Sequence, residues 1–204
     1  MCVICCSAAG VRQPDMTTLR RMFETNPHGA GYMSARAGRV EISKGFMTWE
    51  EFRHAVEYER FTAADSVVYH FRISTQAGVN PEMTHPFPLT NSIANCKLLD
   101  VGCPIGVAHN GIIRLTSDPT DTEYNDTAHF IAEYLAYIVT SPDDLRDHDV
   151  LQEIWALTQS RWALMDSSGY IATVGDYIEE DGLLFSNASY RKPIDRAFRF
   201  CSAV

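Results

Sequence analysis

The sequence predicts an α+β domain with mostly antiparallel sheets, and three observations carry that expectation. Strand-like and helix-like segments come in clusters rather than in strict βαβ alternation. The last quarter turns to short strands, RWALMD, YIATVG and GLLFSN, separated by SSG and EEDG. The 204 residues, 46% of them hydrophobic, suffice for one substantial core. No linker, repeat or low-complexity tract divides them, so residues 1–204 are expected to form a single domain.

The elements follow in order. CVICCSA is a β-rich apolar run ended by Gly10. Met16, Leu19, Met22 and Phe23 fall on one face of a helix from Asp15 to Thr25, which NPHG stops. GYMSA and RVEISKG flank Ala37-Gly38 and read as a tight hairpin. In TWEEF, Thr48 and Glu51 have capping-box spacing and open a helix that runs to about Tyr58. SVVYHFRIS alternates into a buried strand. QAGVNPEMTHPFPL is a loop punctuated by Gly and Pro, and PIGVAHNG is a strand ending at a turn. Asn125, Asp126 and Thr127 precede AHFIAEYLAYI, whose apolar spacing suits an amphipathic helix. A further helix covers Val150 to Thr158.

A formal net charge of −9, with no Lys/Arg run, argues against a nucleic-acid binder. No apolar stretch approaches the roughly 20 residues that span a bilayer. No basic segment followed by a long apolar one opens the chain. The expectation is a cytoplasmic protein without nucleic-acid or membrane partners. Of the six cysteines, Cys2, Cys5 and Cys6 crowd the first strand, while Cys96, Cys103 and Cys201 are scattered. A zinc site uses paired ligand clusters, and only the first group resembles one. Pleating puts Cys2 and Cys6 on one face and Cys5 on the other. All but Cys2 read as reduced thiols packed as small hydrophobes. Cys2 differs, because loss of Met1 leaves it with a thiol beside a free α-amine, and a nucleophile needs a nearby base.

Three further stretches place polar groups at strand ends or on Gly/Pro-rich loops: HFRIST at 70–75, THPF at 84–87 and AHNG at 108–111. Each has a bland explanation. His70 and Arg72 share a strand face and serve as partners, His85 fixes a turn before Pro86, and Asn110-Gly111 is a type I′ turn pair. Their joint occurrence behind a penultimate cysteine is what sets them apart.

With NPHGAGYM at 26–33, GVNPEMTHPF, GVAHNGII, NDTAHF and WALMDSSG…FSNASY, these stretches make most of the chain resemble one family. It is similar to the class II glutamine amidotransferases, which are N-terminal-nucleophile hydrolases, and most of all to their short stand-alone members. The resemblance implies a four-layer αββα sandwich of two antiparallel sheets, with no cofactor and no metal. It implies that Cys2, freed of Met1, attacks the side-chain amide of glutamine or of a γ-glutamyl compound, its proton passing to its own α-amine. The Asn110 side chain and the Gly111 N–H hold the oxyanion. Arg72 binds the substrate α-carboxylate and Asp126 its α-ammonium, with Thr75 and His85 shaping the pocket. Asp121, in DTE, is the alternative to Asp126. Better-known members carry Trp and His or Arg where this chain has Ile73 and Gln76, so the lid over the substrate is expected to differ.

Elementary chemistry supports the roles. An α-amine has a pKa of roughly 7.7–8.0 and is a usable base near neutral pH, whereas a Lys amine near 10.4 is not. Asn supplies a neutral donor, and Arg a planar fork that fits a carboxylate. With the chain ending at Val204 and no nucleotide-binding Gly-rich loop, two uses of the ammonia are expected. A separate acceptor synthetase subunit receives it, or the amide is hydrolysed outright. Two other classes stay open: a silent relative that binds a ligand or partner, and a metal protein using Cys2, Cys5 and Cys6.

Overall fold

Residue alternation along β1 (Val3–Ser7) sets the layering. Val3 and Cys5 turn to one side, into an apolar cluster with Leu19, Met22, Phe23, Phe52 and Val56. Ile4 and Cys6 turn to the other and pack with Ala108, Ala163 and Met165. Period-two pleating is the cause, and it gives the opposition of Cys5 and Cys6 that the sequence predicts. The computed structural model describes residues 2–74, 77–118 and 120–191; Thr75, Gln76 and Cys201 lie outside them.

Ten more strands follow: β2 (Ala30–Arg36), β3 (Arg39–Phe46), β4 (Val67–Phe71), β5 (Phe87–Pro88), β6 (Asp100–Cys103), β7 (Ile105–Asn110), β8 (Arg161–Asp166), β9 (Ile171–Val174), β10 (Ile178–Glu180) and β11 (Leu183–Phe185). They make two antiparallel sheets, ordered β10-β11-β1-β4-β2-β3-β6 and β5-β7-β8-β9. The fold is therefore α+β, as the clustering of elements predicts. The two sheets share the cluster that holds Ile4, Met33, Val68, Ala108 and Ala163. Small residues on β7 and β8 let them approach closely. A Cβ on Gly106 would lie 2.6 Å from Met33 Sδ and 3.0 Å from Val40, so any larger residue there pushes the layers apart.

Helices cover the outer faces. α1 (Met16–Thr25) buries the predicted Leu19, Met22 and Phe23 and is capped by Asp15, whose carboxylate accepts from Thr18 N at 2.7 Å. α2 (Trp49–Glu59) begins at the predicted capping box: Glu51 N–H donates to Thr48 Oγ1 at 3.2 Å, and Thr48 N–H to the Glu51 carboxylate at 3.0 Å. Phe52 drives this helix home against Phe71, with ring centroids 5.0 Å apart. Thr48→Ala is expected to cost about 1 kcal/mol. Urea unfolding tests this as a lower midpoint at unchanged slope.

On the second sheet lie α3 (Asp126–Phe130), α4 (Ala136–Ile138) and α5 (His148–Thr158); α3 packs Phe130 and α5 packs Ile154 into the cluster of Trp162 and Leu164. The sequence predicts one amphipathic helix over AHFIAEYLAYI, but the chain departs from it. Ile131–Leu135 is a π turn between α3 and α4. The wider turn brings Phe130, Ile131, Leu135 and Val139 into one cluster despite their uneven spacing.

Other details also depart from expectation. EEDG is not only a separator, since Ile178–Glu180 pairs with β11. Phe87–Pro88, inside the predicted loop, pairs with β7. The Ala37-Gly38 hairpin is as predicted, both residues having the positive φ a type I′ turn demands (48° and 77°). No helix among the described residues is long and apolar enough to cross a membrane.

Candidate active site

Strand register brings Cys2 to Arg72. Val3 pairs with Phe71 across β1 and β4, so the residues flanking that pair meet where these two interior strands end. Ile73 N–H donates to Cys2 Sγ at 3.3 Å, and the thiol donates to Ile73 O at 3.5 Å. Arg72 is held by its backbone, its N–H donating to Gly29 O at 2.8 Å while its carbonyl accepts from His28 N–H at 3.0 Å. The Asn187 side-chain amide donates to Cys2 O at 2.6 Å. The nucleophile candidate is thus clamped from both sides of β1.

Cys2, Arg72, His85, Gly111 and Asp126 line one cleft, together with Ile73 and His109. Its volume of about 20 Å³ is room for one water molecule. Admitting an amino acid therefore requires its rim to move. Burial raises the Cys2 pKa, against the opposing pull of the Ile73 N–H and the Arg72 charge. The resting group is a neutral thiol, so attack requires a base to take its proton.

Asp126 sits at the start of α3 and faces the cleft while holding the chain beyond β7. Its Oδ2 accepts from Ile113 N–H at 2.7 Å and its Oδ1 from Thr127 N–H at 2.9 Å. Burial raises its pKa; those bonds and Arg72 work the other way. Asp121 is engaged elsewhere. It accepts from the Glu123 and Tyr124 N–H groups at 2.7 and 3.0 Å and from His129 Nε2 at 2.7 Å. Of the two aspartates weighed from sequence, Asp126 is the one at the cleft.

The His129 pair carries a pH signature. The hydrogen bond from His129 lowers the Asp121 pKa from 3.8 to about 2. Burial opposes the His129 charge, but Asp121 and Glu133 outweigh it, and its pKa rises above 6.5. The Asp contribution is present above pH 3.8 and fades as pH falls through about 2. The His contribution is complete below pH 6.5 and fades as pH rises through its raised value. Asp121→Asn is therefore expected to lower the melting temperature most between those limits and progressively less in alkali. A deficit that stays constant to pH 9 would contradict this.

Three buried histidines fasten the end of β7. His109 N–H donates to His85 Nδ1 at 3.1 Å, which puts the His85 proton on Nε2. His70 Nε2 donates to His109 O at 3.1 Å, and His109 Nδ1 meets Thr127 Oγ1 at 2.8 Å. The His85 ring lies between His70 and Phe87, with centroids 4.3 and 4.6 Å away. Burial drops the His70 and His109 pKa values to about 3 and pushes His85 well down. A base that weak does not compete with an α-amine for the thiol proton. These rings therefore position neighbouring groups. Lys44, also buried, donates to Glu82 O and Cys96 O at 2.7 and 2.6 Å and lies 3.8 Å from the Phe87 ring centroid, tying the 77–97 segment to β3.

Asn110 ends β7 beside Gly111 but is not among the residues that line the Cys2 cleft; it lines the neighbouring pocket instead. Its Nδ2 donates to Ser186 Oγ at 2.8 Å, the same oxygen that accepts Ile4 N–H at 2.8 Å. Its Oδ1 is buried with no partner among the described residues. The two ends of an amide are alike in shape, so turned over it would accept from Ser186 O–H through Oδ1 and aim an N–H at the side that lacks a partner, free to meet an acceptor there. The type I′ turn that would explain Asn110-Gly111 without a functional role is not formed, because neither residue has a positive φ. The need for glycine at position 111 is spatial, since a Cβ would lie 2.7 Å from Ser160 Cβ.

Thr75 lies outside the described residues. Cys5, Cys6, Cys96 and Cys103 are buried free thiols, as packing predicts. Among the described residues no group of three or more His, Cys, Asp or Glu is arranged to hold a metal. Sequence reasoning gave no role to Ser186, Asn187, His109 or Lys44. The polar pair Ser186-Asn187, directly after the apolar β11, is the signal that was available. Among known proteins, no family model matches the chain and no curated protein matches it.

Proposed function

We propose that this protein is a thiol amidohydrolase of the class II glutamine amidotransferase type, with the four-layer N-terminal-nucleophile hydrolase sandwich as a single domain. Its substrate is the side-chain amide of glutamine or of a γ-glutamyl compound. One observation carries the reading: residues 2, 72, 111 and 126, remote in sequence, line one small cleft around a thiol.

Removal of Met1 gives Cys2 its α-amine. Substrate binds with its α-carboxylate on Arg72 and its α-ammonium on Asp126, Thr75 and His85 completing the pocket. Two opposite charges in the cleft suit a zwitterion. The Cys2 thiol passes its proton to the α-amine as sulfur attacks the amide carbon. The oxyanion is held by Gly111 N–H and the turned-over Asn110 amide. The C–N bond then breaks, and the α-ammonium protonates the leaving nitrogen. Water hydrolyses the thioester, releasing the γ-carboxylate and restoring the thiol. The net change is amide plus water to acid plus amine. The released ammonia is either passed to a separate acceptor enzyme or set free.

Intact-mass analysis after exposure to diazo-oxo-norleucine tests the reading. The expected result is a protein lacking Met1 that carries one adduct, on Cys2. An active protein that retains Met1, or a folded one without an adduct, would sink it. The second outcome favours a silent, ligand-binding relative.

A further inference from the structure

A second, larger pocket of about 570 Å³ adjoins the cleft at Gly111, which lines both. Arg114 and Arg161 project onto it, Ile112 and Leu157 supply apolar wall, and no acidic residue lines it. Arg161 Nε donates to Asp176 O at 2.8 Å, which fixes the stem and leaves the terminal nitrogens of the guanidinium to turn elsewhere. Among the described residues neither arginine forms an ion pair; the arginines at 20, 36, 39, 53, 146 and 191 all do. On a chain of net charge −9, two arginines facing one pocket without a carboxylate make a local anion site.

We propose that this pocket holds the amine half of a γ-glutamyl amide, and that the preferred amine is an amino acid with a free carboxylate and an aliphatic side chain. The inference rests on the amidohydrolase reading above. With the glutamyl end held at Arg72 and Asp126 and the reacting carbonyl between Cys2 and Gly111, atoms beyond the amide nitrogen continue past Gly111. Ammonia, the leaving group of glutamine, needs neither the volume nor the two guanidinium groups. A γ-glutamyl dipeptide needs both. Its carboxylate meets Arg114 and Arg161, and its side chain lies on Ile112 and Leu157. The chemistry balances: the amide C–N bond breaks, the amino acid leaves with the proton from the thiol, and water completes hydrolysis to glutamate.

The test compares kcat/KM for γ-glutamyl-leucine and γ-glutamyl-leucinamide, which differ in the carboxylate alone. The free acid is expected to be favoured about tenfold at low ionic strength, the scale of one charge-assisted hydrogen bond. The preference is expected to shrink as salt is added, and in Arg114→Gln and Arg161→Gln the ratio is expected to fall toward one. Equal values for acid and amide in the unaltered protein overturn the inference. So does turnover of glutamine with neither dipeptide hydrolysed, an outcome that leaves the amidohydrolase intact. If Cys2 also resists diazo-oxo-norleucine, the underlying reading falls with it.

Discussion

Cys2→Ala is expected to lose activity by roughly 10⁶-fold, the scale seen when the nucleophile is removed from a serine hydrolase. Ammonia release from glutamine is the readout, with thermal unfolding as the control. The thiol is half-buried and makes only weak contacts with the Ile73 backbone at 3.3 and 3.5 Å. Stability should therefore change by about 1 kcal/mol. The clamps on β1 use other atoms, since Asn187 holds the Cys2 carbonyl and Ser186 the Ile4 N–H. An unchanged fold without turnover separates chemistry from packing. Substantial activity in this variant would remove the nucleophile from the scheme.

Asn110→Ala is expected to lower kcat by about 10²–10³-fold, the usual loss for one oxyanion donor, with KM little changed. The reason lies in timing: a donor aimed at a charge that exists only during attack contributes to the barrier and not to ground-state binding. A change confined to KM would refute the role. The neighbouring hydroxyl supplies a second check. Ser186→Ala leaves the Asn110 amide in place but removes what orients it, so kcat should fall by less than in Asn110→Ala. It should also cost about 1–3 kcal/mol of stability, because Ile4 N–H loses its buried acceptor.

Where local chemistry decides an element, the sequence is readable. The Asp15 cap, the Thr48–Glu51 box, the Ala37-Gly38 turn and the alternation in β1 need no partner to be recognised. What escaped was decided at a distance. β6 and β10 are short and largely exposed strands at the sheet's two edges. Their residues carry no apolar run, and they are strands because β3 and β11 offer unpaired backbone. The π turn at Ile131–Leu135 suits the clustering of four side chains, which helical periodicity alone does not foresee.

The candidate site divides in the same way. Cys2 stands out by its place behind Met1, whereas Arg72 and Asp126 draw their expected roles from the resemblance, Asp126 being preferred to Asp121 because a helix follows it directly. The histidines are visible as residues but not as a set, for only the fold shows that the His70 and His85 rings both satisfy the backbone of His109. The plain alternative for Asn110-Gly111, a type I′ turn, fails because neither residue has a positive φ. The glycine answers to crowding by Ser160, a residue 49 positions away.

β1 lies between β4 and β11, and the carbonyl of Cys2, just before it, is gripped by Asn187. A nascent chain therefore cannot complete the surroundings of Cys2 until residue 187 has emerged from the ribosome. Up to that moment the leading segment has one neighbour instead of two, and the sulfur waits in an unassembled setting. Synthesis order thus puts completion of the cleft after nearly all of the described chain has been made.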